Sequence, residues 1–359
     1  MMAETNNQKS MLLLVRLALG GGANDVDWSF DWQYLFEASH KQGVSAMLTD
    51  AVNELPADKR PEMSLLLQWI GRTTVMERTY AQHREAIAQL ASFYAQHGIR
   101  MMLMKGYGCS ISYPVPQHRP TGDIDIYLFG KQQEADEIME REYGVAVHRE
   151  YHKHSTFPFL GFEVENHAKF IDDVSHKSNI RFEKTLMEVL RTTECVASDI
   201  ENVLLPSATF NALFLLRHTG EHFASNEITL RHVLDVGTFF SAHHADVDWT
   251  LVHAVLQQEG MTEFYDALAT ICVDQLGMSS SDFHGYTPRH DLARRILQDI
   301  FEEKEALPMS TYGISTIGQK LRYGIGKTRR WWRNRWKYRM VYNENLAESF
   351  VWLARNRMK

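Results

Sequence analysis

MKGYGCSISYPVPQHRPTGDIDIYL, Met104 to Leu128, sets two carboxylates one residue apart in a segment that alternates as a strand does. Asp123 and Asp125 flank Ile124. Successive strand side chains point to opposite faces, so both acids share one face while Ile124 and Ile126 enter the other. Paired acidic oxygens suit a hard cation such as Mg2+ or Mn2+, which keeps several waters and takes one or two protein carboxylates together with substrate phosphates. Upstream, Ile99 to Met104 reads as a buried strand that stops at Lys105-Gly106. There glycine lets a backbone approach a phosphate closely and lysine supplies a point charge.

A third acid is needed to complete such a metal site or to accept a proton, and GFEVENH offers Glu163, Glu165 and His167 on one strand face. Glu165 is the acid of choice, because Glu163 lies nearer the turn at Gly161 and is expected in solvent. His167 either orients Glu165, touches a phosphate, or is structural. Lys105 and Arg119 are the cations placed to meet the charge of substrate phosphates. Downstream, Asp172, Asp173, His176, Lys177 and Asn179 form a polar run read mostly as loop, with Lys177 within reach of a nucleotide.

Strand, KG turn, short helix, loop with Arg119 and GDID strand together resemble a known family. MKG at 104–106, YPVP at 113–116, RPTGDID at 119–125 and VENH at 164–167 are similar to the LKG, YP-rich, R-P-x-G-D-x-D and E-x-H motifs of the uncharacterised nucleotidyltransferases in the polymerase beta superfamily. HFASNEITLRHVLDVGTF, His222 to Phe239, resembles that family's helical His and LR-x-x-x-D signature, so the likeness runs from Ile99 to Phe239. It implies an α+β fold with a polymerase beta-like mixed-sheet core flanked by helices. The implied activity is metal-dependent transfer of an NMP from an NTP to a hydroxyl acceptor (small molecule, protein or RNA), with release of pyrophosphate. Asp123, Asp125 and Glu165 then take the metal-binding and catalytic positions, and Lys105, Gly106, Arg119, Gly122, His167 and Lys177 the nucleotide-binding ones. The superfamily's usual glycine-serine or glycine-glycine pair is replaced here by Lys105-Gly106 with a longer spacer to Asp123, so the phosphate grip does not carry over by rule. The alternative is a nucleotide-binding regulatory or toxin-antitoxin-type protein without turnover.

The chain has 359 residues, 44% of them apolar, enough for a large core and about two domains. Its formal charge of −7 is uneven: residues 320–359 hold twelve Lys or Arg against Glu344 and Glu348. An acidic body with a basic tail directs any polyanion or membrane-surface contact to the tail. Cys109, Cys195 and Cys272 support neither a disulfide framework nor a zinc ribbon, and a reducing cytoplasm is the expected home. The histidines, His152, His154, His243 and His244 among them, show no linear metal-ligand spacing, so no zinc is assigned. The apolar run Met11 to Leu19, broken by Arg16, is too short to span a bilayer and reads as a core helix.

Periodicity divides the chain into a helical front piece (1–98), a catalytic core (99–200), a helical domain (201–310) and a basic, aromatic C-terminal segment (311–359). Front helices are expected near Trp32 to His40, Val44 to Leu55 and Glu62 to His97. Strands are expected at Ile99–Met104, Asp123–Phe129, Ala146–Tyr151, Ser155–Phe159 and Phe162–His167, with a helix from Gln132 to Glu142. Later helices are clearest at Asn211–Phe223, Leu230–Ala242 and Trp249–Gln258, where Arg231 and Asp235 share a face and suggest an internal ion pair. Gly313 to Gly326 reads as a linker. In KTRRWWRNRWKYRM, Lys327 to Met340, three uses compete for the tryptophans: stacking on RNA, lying in a membrane interface, or packing on the body.

Overall fold

Ile124–Tyr127 forms a strand buried at every residue, and the rest of the fold is arranged about it. The computed structural model describes residues 6–22, 30–174, 176–225, 227–302, 317–345 and 352. The front piece comprises α1 (Asn6–Ala18), α2 (Trp32–Gln42), α3 (Ser45–Glu54) and the 34-residue α4 (Met63–Gln96). The apolar run beginning at Met11 lies in α1, with Met11, Leu12, Leu14 and Val15 buried as a core helix requires. Then come β1 (Met101–Leu103), α5 (Tyr107–Ser110), β2 (Ile124–Tyr127), α6 (Gln132–Tyr143), β3 (His154–Phe159) and β4 (Phe162–His167). α7 (Lys177–Thr192), β5 (Val196–Ala197) and β6 (Val203–Leu205) follow. The helical block is α8 (Ala208–Ser225), α9 (Leu230–His243), α10 (Trp249–Gln258), α11 (Thr262–Thr270), α12 (His290–Phe301) and α13 (Ile317–Val341).

The six strands make one mixed sheet in the order β3-β4-β2-β1-β6-β5, giving an α+β fold. β2 runs parallel to β4 and antiparallel to β1, while β3 and β4 form an antiparallel hairpin. Alternation sorts the two faces as expected. Ile124 and Ile126 join Met101, Leu103, Val164 and Phe157 in a core closed by Ile87, Leu90 and Tyr94 of α4. Met102 and Tyr127 belong to the larger core, which α7, α8 and α9 supply with Phe182, Phe214 and Leu234. Each such fully buried side chain contributes about 1.5–3 kcal/mol. α4 reaches both cores, with Trp69 in the larger and Tyr94 in the smaller.

Three expectations change. Ala146–Tyr151 is no strand: His148 makes a single antiparallel bridge with Thr156, and Arg149 turns away to bond Glu140 of α6 at 2.7 and 2.9 Å. β5 and β6, two and three residues long, were too short to leave a periodic signal, yet β6 pairs with β1. Residues 317–326 of the expected linker open α13, and 313–316 lie outside the described residues.

α13 packs on α8. Trp336 meets the Phe223 ring edge-on at 5.3 Å, Asn334 Nδ2 donates to the Ala224 carbonyl at 3.3 Å, and buried Lys337 pairs with Asp299. Beyond the helix, Tyr342 stacks on His176 at 3.7 Å, and a Glu344 oxygen lies 3.3 Å from His176 Nδ1. Packing is therefore the structural use of this segment, while Arg329, Trp332, Arg333, Arg335 and Arg339 stay exposed. No helix among the described residues is long and apolar enough to cross a membrane.

Candidate active site

The parallel register of β2 and β4 sets Asp125 directly beside Glu165, and the β3–β4 hairpin sets His154 opposite His167. The Met104 N–H donates to the Asp125 carbonyl at 3.1 Å, so the residue after β1 arrives at the same place. Lys105 Nζ lies 2.7 Å from Asp125 Oδ1 and 4.0 Å from Glu165 Oε2. Gly106 turns the chain at φ 56, and a Cβ there would come within 3.3 Å of the Asp123 carbonyl oxygen. Glycine is thus required for the KG turn to lie against the acid strand.

The two aspartates are unlike. Asp125 is buried, with His167 Nε2 3.0 Å and Lys105 2.7 Å from Oδ1. Burial alone would raise its pKa, but the Lys105 charge and the His167 hydrogen bond hold it below the usual range. Asp123 is exposed at the strand's entry, and its pKa is raised by partial burial and by the charges of Glu165, Asp125 and Glu163. Glu165 is likewise desolvated, yet the approach of His154, His167 and Lys105 keeps it well below the ordinary carboxylate range. Glu163 is exposed, as its place near the turn implies. Three carboxylates that repel one another, one of them without an ion pair among the described residues, fit a hard divalent cation.

The other expected residues scatter. Arg119 is buried, and its guanidinium grips Asp235 with two hydrogen bonds, Nε to Oδ1 at 2.7 Å and Nη2 to Oδ2 at 2.9 Å. Tyr113 donates to the same carboxylate at 2.7 Å. The structure thus ties Arg119 to α9, not to the acid trio, and gives Asp235 to Arg119 in place of the expected Arg231. Lys177, exposed at the start of α7, has its ammonium 5.4 Å from the centre of the Trp352 ring. Gly122 is exposed beside Asp123. From the polar run, Asn179 donates to Glu221 Oε1 at 2.6 Å, and His152 Nε2 meets Asp172 at 3.0 Å.

Sequence reasoning missed two site residues. His154 Nδ1 lies 3.2 Å from Glu165 Oε2. Lys153 carries no side-chain hydrogen bond or ion pair among the described residues, and its pKa is lowered by burial and by the charge of Lys105. Facing them, α8 and α9 present a row of rings, His218–His222 at 4.6 Å and His222–His232 at 5.3 Å. Burial, reinforced by Lys105 and Arg231 respectively, drops His222 to about 4 and His232 to about 3, so both are neutral at pH 7.

No curated protein and no solved structure matches the chain. A family model described as uncharacterised nucleotidyltransferase matches residues 29–277, a span that takes in the acid trio, the KG turn and the ring row of α8 and α9. With more than half its length so matched, the chain belongs to the uncharacterised nucleotidyltransferase family.

Proposed function

We propose that the protein transfers an NMP from an NTP to a hydroxyl acceptor through a polymerase beta-like core. The observation that carries this reading is the side-by-side placement of Asp125 and Glu165 with Lys105 between them. Asp123 and Asp125 would hold Mg2+ or Mn2+, which when bound offsets charge on the triphosphate. Lys105 leaves its carboxylates for the phosphates, joined by Lys153, while Gly106 and Gly122 let the backbone come close. His167 holds Glu165, and Lys177 serves the nucleotide from the start of α7. The acceptor oxygen attacks the α-phosphorus, the bond from that phosphorus to the bridging oxygen breaks, and pyrophosphate leaves with its electron pair. The hydroxyl proton passes to Glu165, whose basicity rises once Lys105 no longer holds it down. The neutral rings of His218, His222 and His232 supply a face for a base or acceptor ring.

Arg119 has the lesser role of fixing the strand's entry through Asp235. Any polyanion contact falls to the exposed face of α13, where Arg329, Arg333, Arg335 and Arg339 surround Trp332. The test is incubation with each labelled NTP and Mg2+, followed by measurement of pyrophosphate and of label on the protein or added acceptors. Binding of NTP with no release or labelling under any of the four would favour the non-catalytic regulatory reading.

A further inference from the structure

His154, Glu165 and His167 reach one point from two antiparallel strands. Their ligand atoms lie within 4.8 Å of one another, with His154 Nδ1 and His167 Nε2 each 3.2 Å from Glu165 Oε2. A tetrahedral centre with bonds of about 2.1 Å separates its ligand atoms by roughly 3.4 Å, close to these spacings. Asp125 Oδ1, 3.0 Å from His167 Nε2 and 2.7 Å from Lys105 Nζ, borders this cluster and leaves its fourth position open to water.

The hydrogen bonding around the two rings points the same way. His167 Nδ1 lies 3.1 Å from the Lys169 carbonyl oxygen, which only accepts, so Nδ1 carries the hydrogen. Nε2 therefore faces two carboxylate oxygens and needs a proton or a cation between them. A ring N–H bound to a backbone carbonyl is also the outer contact that metal-bound histidines make. His154 Nδ1 is buried without a hydrogen-bond partner, its approach to Glu165 being off the hydrogen-bond line.

We propose that His154, Glu165 and His167, with Asp125 at the edge, bind one transition-metal ion of the Zn2+ class. Two imidazole nitrogens favour such a cation over Mg2+, which prefers oxygen. The site differs from the Asp123–Asp125 pair in its nitrogen donors and deepens the proposed function by drawing on Glu165. An ion held there occupies the oxygen that would take the acceptor's proton and so opposes transfer.

The test needs no turnover, so it stands or falls apart from the transfer reading. Full-length protein is titrated with Co2+ and read by visible absorption, then with Zn2+ and Mg2+ by calorimetry. One equivalent of Co2+ should give the intense spectrum of a four-coordinate centre that Zn2+ displaces. His154→Ala should weaken Zn2+ binding by roughly tenfold or more while changing Mg2+ affinity by less than about twofold. His154→Gln keeps the volume and is read the same way should the alanine variant fold poorly. A weak six-coordinate Co2+ spectrum, or Zn2+ affinity unchanged in the His154 variants, would overturn the site.

Discussion

At the scale of residues, two aspartates that alternation treats alike have different tasks. Asp125 lies under Lys105 and His167, so Asp125→Asn should cost about 2 kcal/mol of stability, the worth of hydrogen bonds to a charged group. Asp123→Asn should cost almost none, yet both should lose Mg2+-dependent NTP binding; urea unfolding and calorimetric titration of each variant check the pair. Glu165→Gln should abolish pyrophosphate release and Glu163→Gln should be mild, and equal loss in the two would mean that the wrong acid was chosen. That Glu165 and His167 share a face was legible because strand alternation is local, whereas the β2–β4 register that brings Asp125 beside Glu165 is not local. Arg119 was not legible either, since its partner Asp235 lies 116 residues on and no local pattern reports it. Arg119→Ala should therefore destabilise the fold by about 3–5 kcal/mol, the cost of leaving half of a buried pair alone. A variant with full stability but a raised KM for NTP would instead restore Arg119 to the phosphate grip.

At the scale of elements, the loop between α5 and β2 is bolted down at three points: Tyr113 and Arg119 on α9, and His118 between Asp50 and Glu77. Burial lowers the His118 pKa, but the hydrogen bonds and charges of its two acids outweigh this and raise it above 6.5. The folded state thus binds the proton more tightly. The tie stabilises fully below the unfolded value and is lost as pH rises through the folded one. Wild type should lose stability relative to His118→Gln as pH rises above about 6.5, and a pH-independent difference in melting temperature would remove this role. Long helices and the β3–β4 hairpin were readable from period alone. β5 and β6 were not, because strands of two and three residues owe their existence to pairing, β6 with β1 and β5 with β6. The histidine pair was missed for a related reason: His154 and His167 are thirteen apart in sequence and become neighbours only through the hairpin register.

At the scale of the molecule, the largest core draws Leu14, Phe182, Phe223 and Val341 from four separated stretches of chain. Deleting Thr328 to Lys359 uncovers Phe223 and removes the backbone carbonyl of Val341 that accepts from buried Arg217. The truncated protein should melt several degrees lower and self-associate, as scanning calorimetry and light scattering would show. RNA and anionic-vesicle binding measured on both forms tests the exposed arginines, whose contribution should fade with salt. Arg217 carries a further consequence. It lies wholly inside α8, beside the ring row, and its guanidinium is shared by Ser178, Asn179 and a carbonyl 124 positions later. During synthesis Arg217 is therefore expected to lack one of its acceptors until that late stretch leaves the ribosome. A message broken before it leaves a buried cation short of an acceptor, and such a product is expected to be cleared by proteases.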